Sequence, residues 1–162
     1  MPITLIINSI PYQYPIPGDS PGWGEGATDW AEAVTEVLND LVSPTDILQT
    51  TFSVANNNTS SANVSGLSFN TGLVRAAFIK YSIYRVSTSN PSGQSEGGEM
   101  IAVYDNSAAT GNKWSLTQGP VNGNSGITFT MTDNGQVQYT STDIGTPGYS
   151  GIMKFSATTL AQ

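Results

Sequence analysis

The feature that most constrains the fold is a series of short runs, from residue 47 onward, in which apolar and polar residues alternate. The clearest run is GITFTMT (126–132), where Ile127, Phe129 and Met131 alternate with threonines, as in a strand with one buried face. TDNGQ (132–136) follows it, and its Asn-Gly pair is a strong signal for a hairpin turn. About eight such runs, separated by turn-forming clusters, predict an all-β fold, an antiparallel β-sandwich or jelly-roll-like body.

The longest run, residues 74–87, carries apolar residues on both of its faces, which indicates that both faces are partly covered. One face has Ala77, Ile79, Tyr81 and Ile83, and the other has Phe78, Lys80, Ser82, Tyr84 and Val86. The Ser/Gly-rich segment 87–99 is predicted to be a long exposed loop. The predicted strands are QTTFSV (49–54), ANVSGLSF (62–69), VRAAFIKYSIYRVS (74–87), EMIAVYD (99–105), KWSLTQ (113–118), GITFTMT (126–132), QVQYTST (136–142) and YSGIMKFSA (149–157).

The N-terminal part of the chain has a different pattern, so we divide the chain into an N-terminal segment, residues 1–46, and a β-sandwich body, residues 47–162. ITLII (3–7) is predicted to be a short strand. ATDWAEAVTEVLNDLVSP predicts one helix at about residues 28–42. Its apolar stripe at helical spacing consists of Trp30, Val34, Val37, Leu38 and Leu41.

Between these two elements lies PYQYPIPGDSPGWGEGATDW (11–30), in which prolines and glycines accompany two tyrosines and two tryptophans. The prolines and glycines argue against helix and strand, so the segment is predicted to be an extended arm. Proline reduces the entropy that an extended arm loses on docking. Tyrosine and tryptophan supply a large contact area for few rotatable bonds, which is typical of interfaces.

Charge is distributed unevenly along the chain, whose net charge is −7. Seven acidic residues precede the first basic residue, Arg75, and from there on five acidic residues accompany five basic ones. The N-terminal acids either form a solvated face or dock on a basic partner surface. Glu32, Glu36 and Asp40 follow one another at i+4 spacing, which destabilises an isolated helix, so we expect the helix to depend on tertiary or partner contacts.

Composition also excludes several classes of function. The chain has no cysteine and no histidine, which removes thiolate chemistry, the commonest general base and the commonest metal ligand, and we predict no cofactor. The acidic balance argues against nucleic-acid binding, because phosphate contacts need lysine and arginine. No apolar run approaches the length of a membrane span, and the first residues lack the basic region of a signal peptide.

Three kinds of site are weighed and set aside. The carboxylate pairs Asp105/Glu99 and Asp133/Asp143 lie near strand ends, as in glycoside hydrolases, but lack flanking residues that would separate their pKa values. The Asp105-Asn106 loop lacks the ligand spacing of a calcium loop. The third kind of site is a platform of aromatic side chains that would bind a sugar. Aromatic residues in alternating strands more often belong to the core. The members of the platform would be Tyr84, Tyr104, Trp114 and Tyr139. We therefore predict that the protein is not an enzyme.

The N-terminal segment resembles the start of small virion structural proteins of tailed bacteriophages. The shared pieces are Tyr-x-Tyr-Pro, Pro-Gly-x-x-x-Gly-Trp-Gly and Ala-Thr-x-Trp-Ala-x-Ala-Val-Thr, with YSIYR, VQYTST and YSGIMKF further on, so that the likeness spans most of the chain. The resemblance implies a place in a virion, and it carries over no catalytic residue. A capsid decoration protein is the favoured role, with a tail, neck or collar fibre subunit as the alternative and a carbohydrate-binding module as a second alternative.

A virion role suggests that the protein forms a homo-oligomer, with a trimer favoured, and that it binds the major capsid protein or another virion protein. The N-terminal segment is the expected interface, although its tryptophans could instead pack on the protein's own β-sandwich. The predicted interface residues are the aromatics Tyr12, Tyr14, Trp23 and Trp30 and the acids Glu25, Asp29, Glu32 and Glu36.

Overall fold

A computed structural model of the protein describes residues 3–7, 10–14, 31–38 and 43–162. The chain forms two compact units, Met1–Pro44 and Thr45–Gln162, which we call the N-terminal unit and the β-sandwich. The prediction of an all-β fold with antiparallel sheets and one short helix is confirmed for the described residues.

The N-terminal unit contains a two-stranded antiparallel hairpin and a helix. Strand β1 (Ile3–Ile7) was expected, and it pairs with β2 (Ile10–Tyr14). The prediction that residues 11–30 contain no strand is therefore wrong for residues 11–14. Pro11 lies opposite Ile6 in a two-stranded sheet, where each strand is an edge and a missing N–H is tolerated. Helix α1 occupies residues 31–38, within the predicted range, and residues 15–30 and 39–42 lie outside the described part of the chain.

The β-sandwich consists of eight strands in two antiparallel sheets. The five-stranded sheet has the order β3-β10-β5-β6-β7, and the three-stranded sheet has the order β4-β9-β8. The C-terminal strand thus lies inside the larger sheet, hydrogen-bonded to both β3 and β5. The strands are β3 (Ile47–Ser53), β4 (Ala62–Ser68), β5 (Val74–Val86), β6 (Gln94–Tyr104), β7 (Trp114–Gly123), β8 (Ile127–Met131), β9 (Gln136–Ser141) and β10 (Ser150–Ala161).

The core lies between the two sheets and is built from the inward-facing residues of both. Leu67 and Val137 of the small sheet and Ile79 and Phe155 of the large sheet are almost completely buried. Aromatic rings meet edge-on across the core, as where the Tyr81 and Phe129 ring centroids lie 5.4 Å apart. Ala77, Ile79, Tyr81 and Ile83, which the alternation groups on one face of the long strand, all belong to this core.

Strands β6 and β7 are longer than the sequence indicates, because their glycine-rich ends look like loops. Residues 94–98, predicted to be part of a long loop, form the start of β6, where Gly97 and Gly98 pair with Asn122 and Val121 of β7. Backbone hydrogen bonds in a ladder do not depend on side chains, so a polar, glycine-rich segment can extend a strand whose partner is already in place.

The predicted hairpin turn between β8 and β9 is present. Gly135 adopts φ +86°, and its N–H donates to the Thr132 carbonyl oxygen over 3.0 Å. A Cβ atom at this position would lie 2.0 Å from the Phe69 carbonyl oxygen, so both the backbone conformation and the space require glycine.

Candidate interaction surfaces

Helix α1 exposes much of its apolar side. Val37 is 58% exposed and Leu38 is 39% exposed, and together with Ala33 and Val34 they line a shallow apolar depression of about 250 Å³. The buried side instead carries Ala31 and Thr35, whose hydroxyl donates to the Ala31 carbonyl oxygen over 2.7 Å. Val34, Val37 and Leu38 of the predicted apolar stripe therefore lie on α1, and Val37 and Leu38 are exposed, while Trp30 and Leu41 lie outside the described residues.

Two of the predicted interface residues, Glu32 and Glu36, lie on α1 one turn apart, and both are exposed. Tyr12 and Tyr14 belong to β2, where only the backbone is described. The other predicted interface residues lie outside the described part of the chain, namely Trp23, Glu25, Asp29 and Trp30. Their role as interface residues stays a prediction.

The outer face of the five-stranded sheet carries a second exposed apolar surface. Phe78 on β5 lies opposite Ile101 on β6, and one row further Ala76 lies between Leu160 of β10 and Val103 of β6. We call Phe78, Ile101, Val103 and Leu160 the sheet patch; each of them is 40–56% exposed. The expectation that both faces of the long strand are partly covered is wrong here, because only the inner face is buried.

Next to the sheet patch, on the same face, lies a shallow depression of about 240 Å³ that contains two lysines. Lys80 of β5 and Lys154 of β10 line it with Ser82, Ser156 and Gln49. Ser82 is the partner of Lys154 in the ladder, and Ser156 is the partner of Lys80, so the two lysines are diagonal neighbours. Among the described residues, neither lysine takes part in an ion pair.

Inside the β-sandwich, Arg85 is completely buried, and its guanidinium donates to neutral oxygens. The donor–acceptor distance is 2.6 Å to each of the carbonyl oxygens of Ser125 and Thr142, and 3.1 Å to Asn56 Oδ1 and to the Tyr149 hydroxyl. Our sequence reasoning missed this residue. Arg85 nevertheless lies on the same buried face of β5 as Ala77, Ile79, Tyr81 and Ile83. An arginine at the end of this otherwise uncharged series could have identified a buried charged site from the sequence.

A buried carboxylate belongs to the same polar region. Glu96 accepts hydrogen bonds from the Tyr81 hydroxyl over 2.8 Å and from the backbone N–H and hydroxyl of Ser125 over 2.9 and 2.8 Å. Ser125 therefore joins Glu96 to Arg85. Burial, and then the hydrogen bond to Glu96, raise the pKa of Tyr81 to about 12.

Three of the four carboxylates considered for catalysis serve to fix loops, and the fourth, Glu99, is exposed on β6. Asp105 accepts hydrogen bonds from Ser107, and Asp133 accepts them from the backbone N–H groups of Gly111 and Lys113. Asp143 accepts from the Gly145 N–H and from the Asn56 amide, both over 2.7 Å. These hydrogen bonds to the ionised form lower the pKa of all three aspartates.

The proposed aromatic platform does not form. Tyr104, Trp114 and Tyr139 are buried in the core, with the Tyr104 and Trp114 ring centroids 5.2 Å apart, and only Tyr84 is exposed. In the described residues no group of three or more acidic, histidine or cysteine side chains is placed to hold a metal ion. A helix long and apolar enough to cross a membrane is also missing from these residues.

No protein-family model matches the chain, and no curated protein matches it. Among solved structures, it is similar to the tailspike protein of Acinetobacter phage vB_ApiP_P1, with a TM-score of 0.41 and 11% identity over 70% of this chain and 21% of that one. It is also similar to the tailspike protein of Acinetobacter baumannii phage AM24, with a TM-score of 0.35 and 10% identity over 72% of this chain and 26% of that one. The chain therefore spans about a quarter or less of either tailspike.

Proposed function

We propose that the protein is a non-enzymatic structural component of a bacteriophage virion and that its N-terminal unit attaches it to neighbouring subunits. The observation that carries the proposal is the surface of α1, where Val37 and Leu38 are exposed on one side and Glu32 and Glu36 on the opposite side. A helix of a monomer normally buries its apolar side, and apolar surface left exposed is typical of a binding site.

The more specific role that we propose is a capsid decoration protein whose N-terminal segment, residues 1–46, contacts capsid subunits. Support comes from the resemblance of the N-terminal segment to phage virion proteins and from its charge, since residues 1–44 contain acids but no lysine or arginine. Such a segment is complementary to a basic surface and is repelled by an acidic one. A tail, neck or collar fibre subunit would use the same attachment, and it is the alternative.

Three of the four carboxylates considered for catalysis support a non-enzymatic role. A general acid needs a raised pKa, whereas the hydrogen bonds at Asp105, Asp133 and Asp143 lower the pKa of each of these groups. Each of these side chains also closes a loop, which explains its position without a substrate.

The test is incorporation of the full-length protein into particles. Val37→Glu/Leu38→Glu places two charges on the exposed side of α1, and we expect the copy number per particle, measured by quantitative mass spectrometry, to fall about tenfold or more. The control is Leu48→Glu, because Leu48 is an exposed leucine on β3 of the β-sandwich. Normal incorporation of the double variant contradicts the proposal. An electron-microscopy map of wild-type particles then separates capsid decoration from a tail or neck position.

A further inference from the structure

The outer face of the five-stranded sheet carries exposed charges of opposite sign on two adjacent strands. Lys80 of β5 and Glu99 of β6 are both exposed, and they lie directly opposite each other in the ladder. In the next row toward the sheet patch, exposed Phe78 of β5 lies opposite exposed Ile101 of β6. Two neighbouring rows of this face therefore hold one pair of opposite charges and one apolar pair.

This pattern is complementary to itself. In a two-fold contact the same surface serves both copies, so each contact between two different residues forms twice. A two-fold axis that runs along the strands, between β5 and β6, places β5 of each copy on β6 of the other and keeps every row in its position. Lys80 then lies over Glu99 of the second copy, and Phe78 lies over its Ile101.

The charges disfavour the other ways of stacking two copies of this face. An axis along β5 would set Lys80 against the same lysine of the second copy, and an axis along β6 would do so for Glu99. An axis across the strands, between the two rows, would press Lys80 onto Phe78 and desolvate the cation without a partner. With the axis between β5 and β6, Lys154 of β10 lies over β7, whose sequence WSLTQGPVNG contains no charge.

The size of the face fits a specific interface. Each strand residue covers about 16 Å², because residues rise about 3.3 Å along a strand and strands lie about 4.8 Å apart. The four strands that overlap in this arrangement, β10, β5, β6 and β7, have 10 to 13 residues each. Each copy therefore covers about 700 Å², close to the area that one partner buries in a standard-sized interface. Aligned sheets cross at about 30°, so the rows stay in register near the crossing point.

We propose that the outer face of the five-stranded sheet binds the same face of a second copy of this chain. The contact is centred on two rows, Lys80 with Glu99 and Phe78 with Ile101, and its two-fold axis runs between β5 and β6. The contact belongs to the β-sandwich, so it goes beyond the attachment proposed for the N-terminal unit. It pairs the copies into a dimer, in place of the trimer expected from the sequence.

The test is sedimentation velocity of the purified full-length protein over a range of concentrations. Interfaces of this size give micromolar or tighter dissociation constants, so the wild type should be dimeric at about 100 μM and should dissociate more readily at high salt. Lys80→Glu leaves only acids at the centre of the contact and Glu99→Lys leaves only bases, so each variant should dimerise about 100-fold more weakly. An equimolar mixture of the two variants should form heterodimers, and Lys80→Glu/Glu99→Lys in one chain should dimerise like the wild type.

The matched control is Lys154→Glu, which makes the same change on the same face but lies over the uncharged β7. Its dissociation constant should stay within about threefold of the wild-type value. Phe78→Ser/Ile101→Ser changes no charge and should weaken dimerisation about tenfold or more, which keeps the proposal testable if a charge variant does not fold.

Four results would overturn the inference. The first is a wild type that is monomeric at about 100 μM. The second is wild-type dimerisation of the Lys80→Glu variant or of the Phe78→Ser/Ile101→Ser variant. The third is a mixture of the two folded charge variants that forms no heterodimer. The fourth is a loss of dimerisation in Lys154→Glu as large as that in Lys80→Glu, because it would rule out an axis between β5 and β6.

Discussion

Replacement of Arg85 by alanine should destabilise the β-sandwich more than any change at an exposed arginine. Alanine removes all the guanidinium donors, so the carbonyl oxygens of Ser125 and Thr142, both 2.6 Å away, lose their charged partner inside the protein. The Asn56 oxygen and the Tyr149 hydroxyl lose a donor as well. The completely buried side chain also leaves a cavity behind it.

The size of the effect follows from these contacts. A hydrogen bond to a charged group contributes about 1.5–3 kcal/mol, and two of these bonds are short. The variant no longer has a cation to bury, which offsets part of this loss. The free energy of unfolding should therefore fall by about 4 kcal/mol, within the range for breaking a buried charged network. With an m-value of about 1.5 kcal/mol/M, the urea midpoint should fall by about 2–3 M.

Urea unfolding followed by fluorescence measures this change. Trp114 is buried in the core and is the one tryptophan of the β-sandwich, so its emission reports on that unit. Arg85→Met keeps most of the volume and should recover about 1–2 kcal/mol, which isolates the cavity contribution. Arg75→Ala, at an exposed position of the same strand, should change the free energy of unfolding by less than about 0.5 kcal/mol. A cost below about 1 kcal/mol for Arg85→Ala would show that the polar network does not stabilise the fold.

Two other predictions concern the turn and the buried tyrosine. Gly135→Ala should lower the free energy of unfolding in urea by about 2–4 kcal/mol, because the residue has φ +86° and a Cβ atom would clash with the Phe69 carbonyl oxygen. Gly111→Ala is the control: it has φ +92° but open space around it, and should cost only about 1 kcal/mol. Equal costs would refute the steric argument. The pKa of Tyr81 is about 12 in the folded protein, against an ordinary value of 10.0 for a tyrosine. The protonated Tyr81 hydroxyl therefore contributes its full share of stability below pH 10, and this share is lost as the pH rises toward 12. Ultraviolet titration of Glu96→Gln should show a lower pKa for this tyrosine, and an unchanged titration would contradict the role of Glu96.

Local pattern was enough to predict most strands and, in the two clearest runs, which residues share a face. The alternation in GITFTMT and in residues 77–83 reflects the geometry of a single strand, which needs no knowledge of its neighbours. The same reasoning failed at β2, where Pro11 is tolerated because the hairpin has only two strands, and at the glycine-rich start of β6, which depends on the pairing of Gly97 with Asn122. An apolar stripe shows which side of a helix is apolar but not whether another segment covers it, so the exposure of Val37 and Leu38 is visible only in the structure.

What the sequence determined by itself is therefore local: the all-β class, the Asn-Gly turn before β9 and the separation of the acidic N-terminal unit from a body that contains every lysine and arginine. Strand order was decided only by the tertiary structure, which places β10 between β3 and β5. The hydrogen-bond partners of Arg85 lie 29 to 64 residues away in the sequence. Lys80 and Lys154 become neighbours only because β5 pairs with β10. The physical reason is that backbone geometry sets periodicity within a few residues, whereas burial and hydrogen-bond satisfaction are properties of the whole chain.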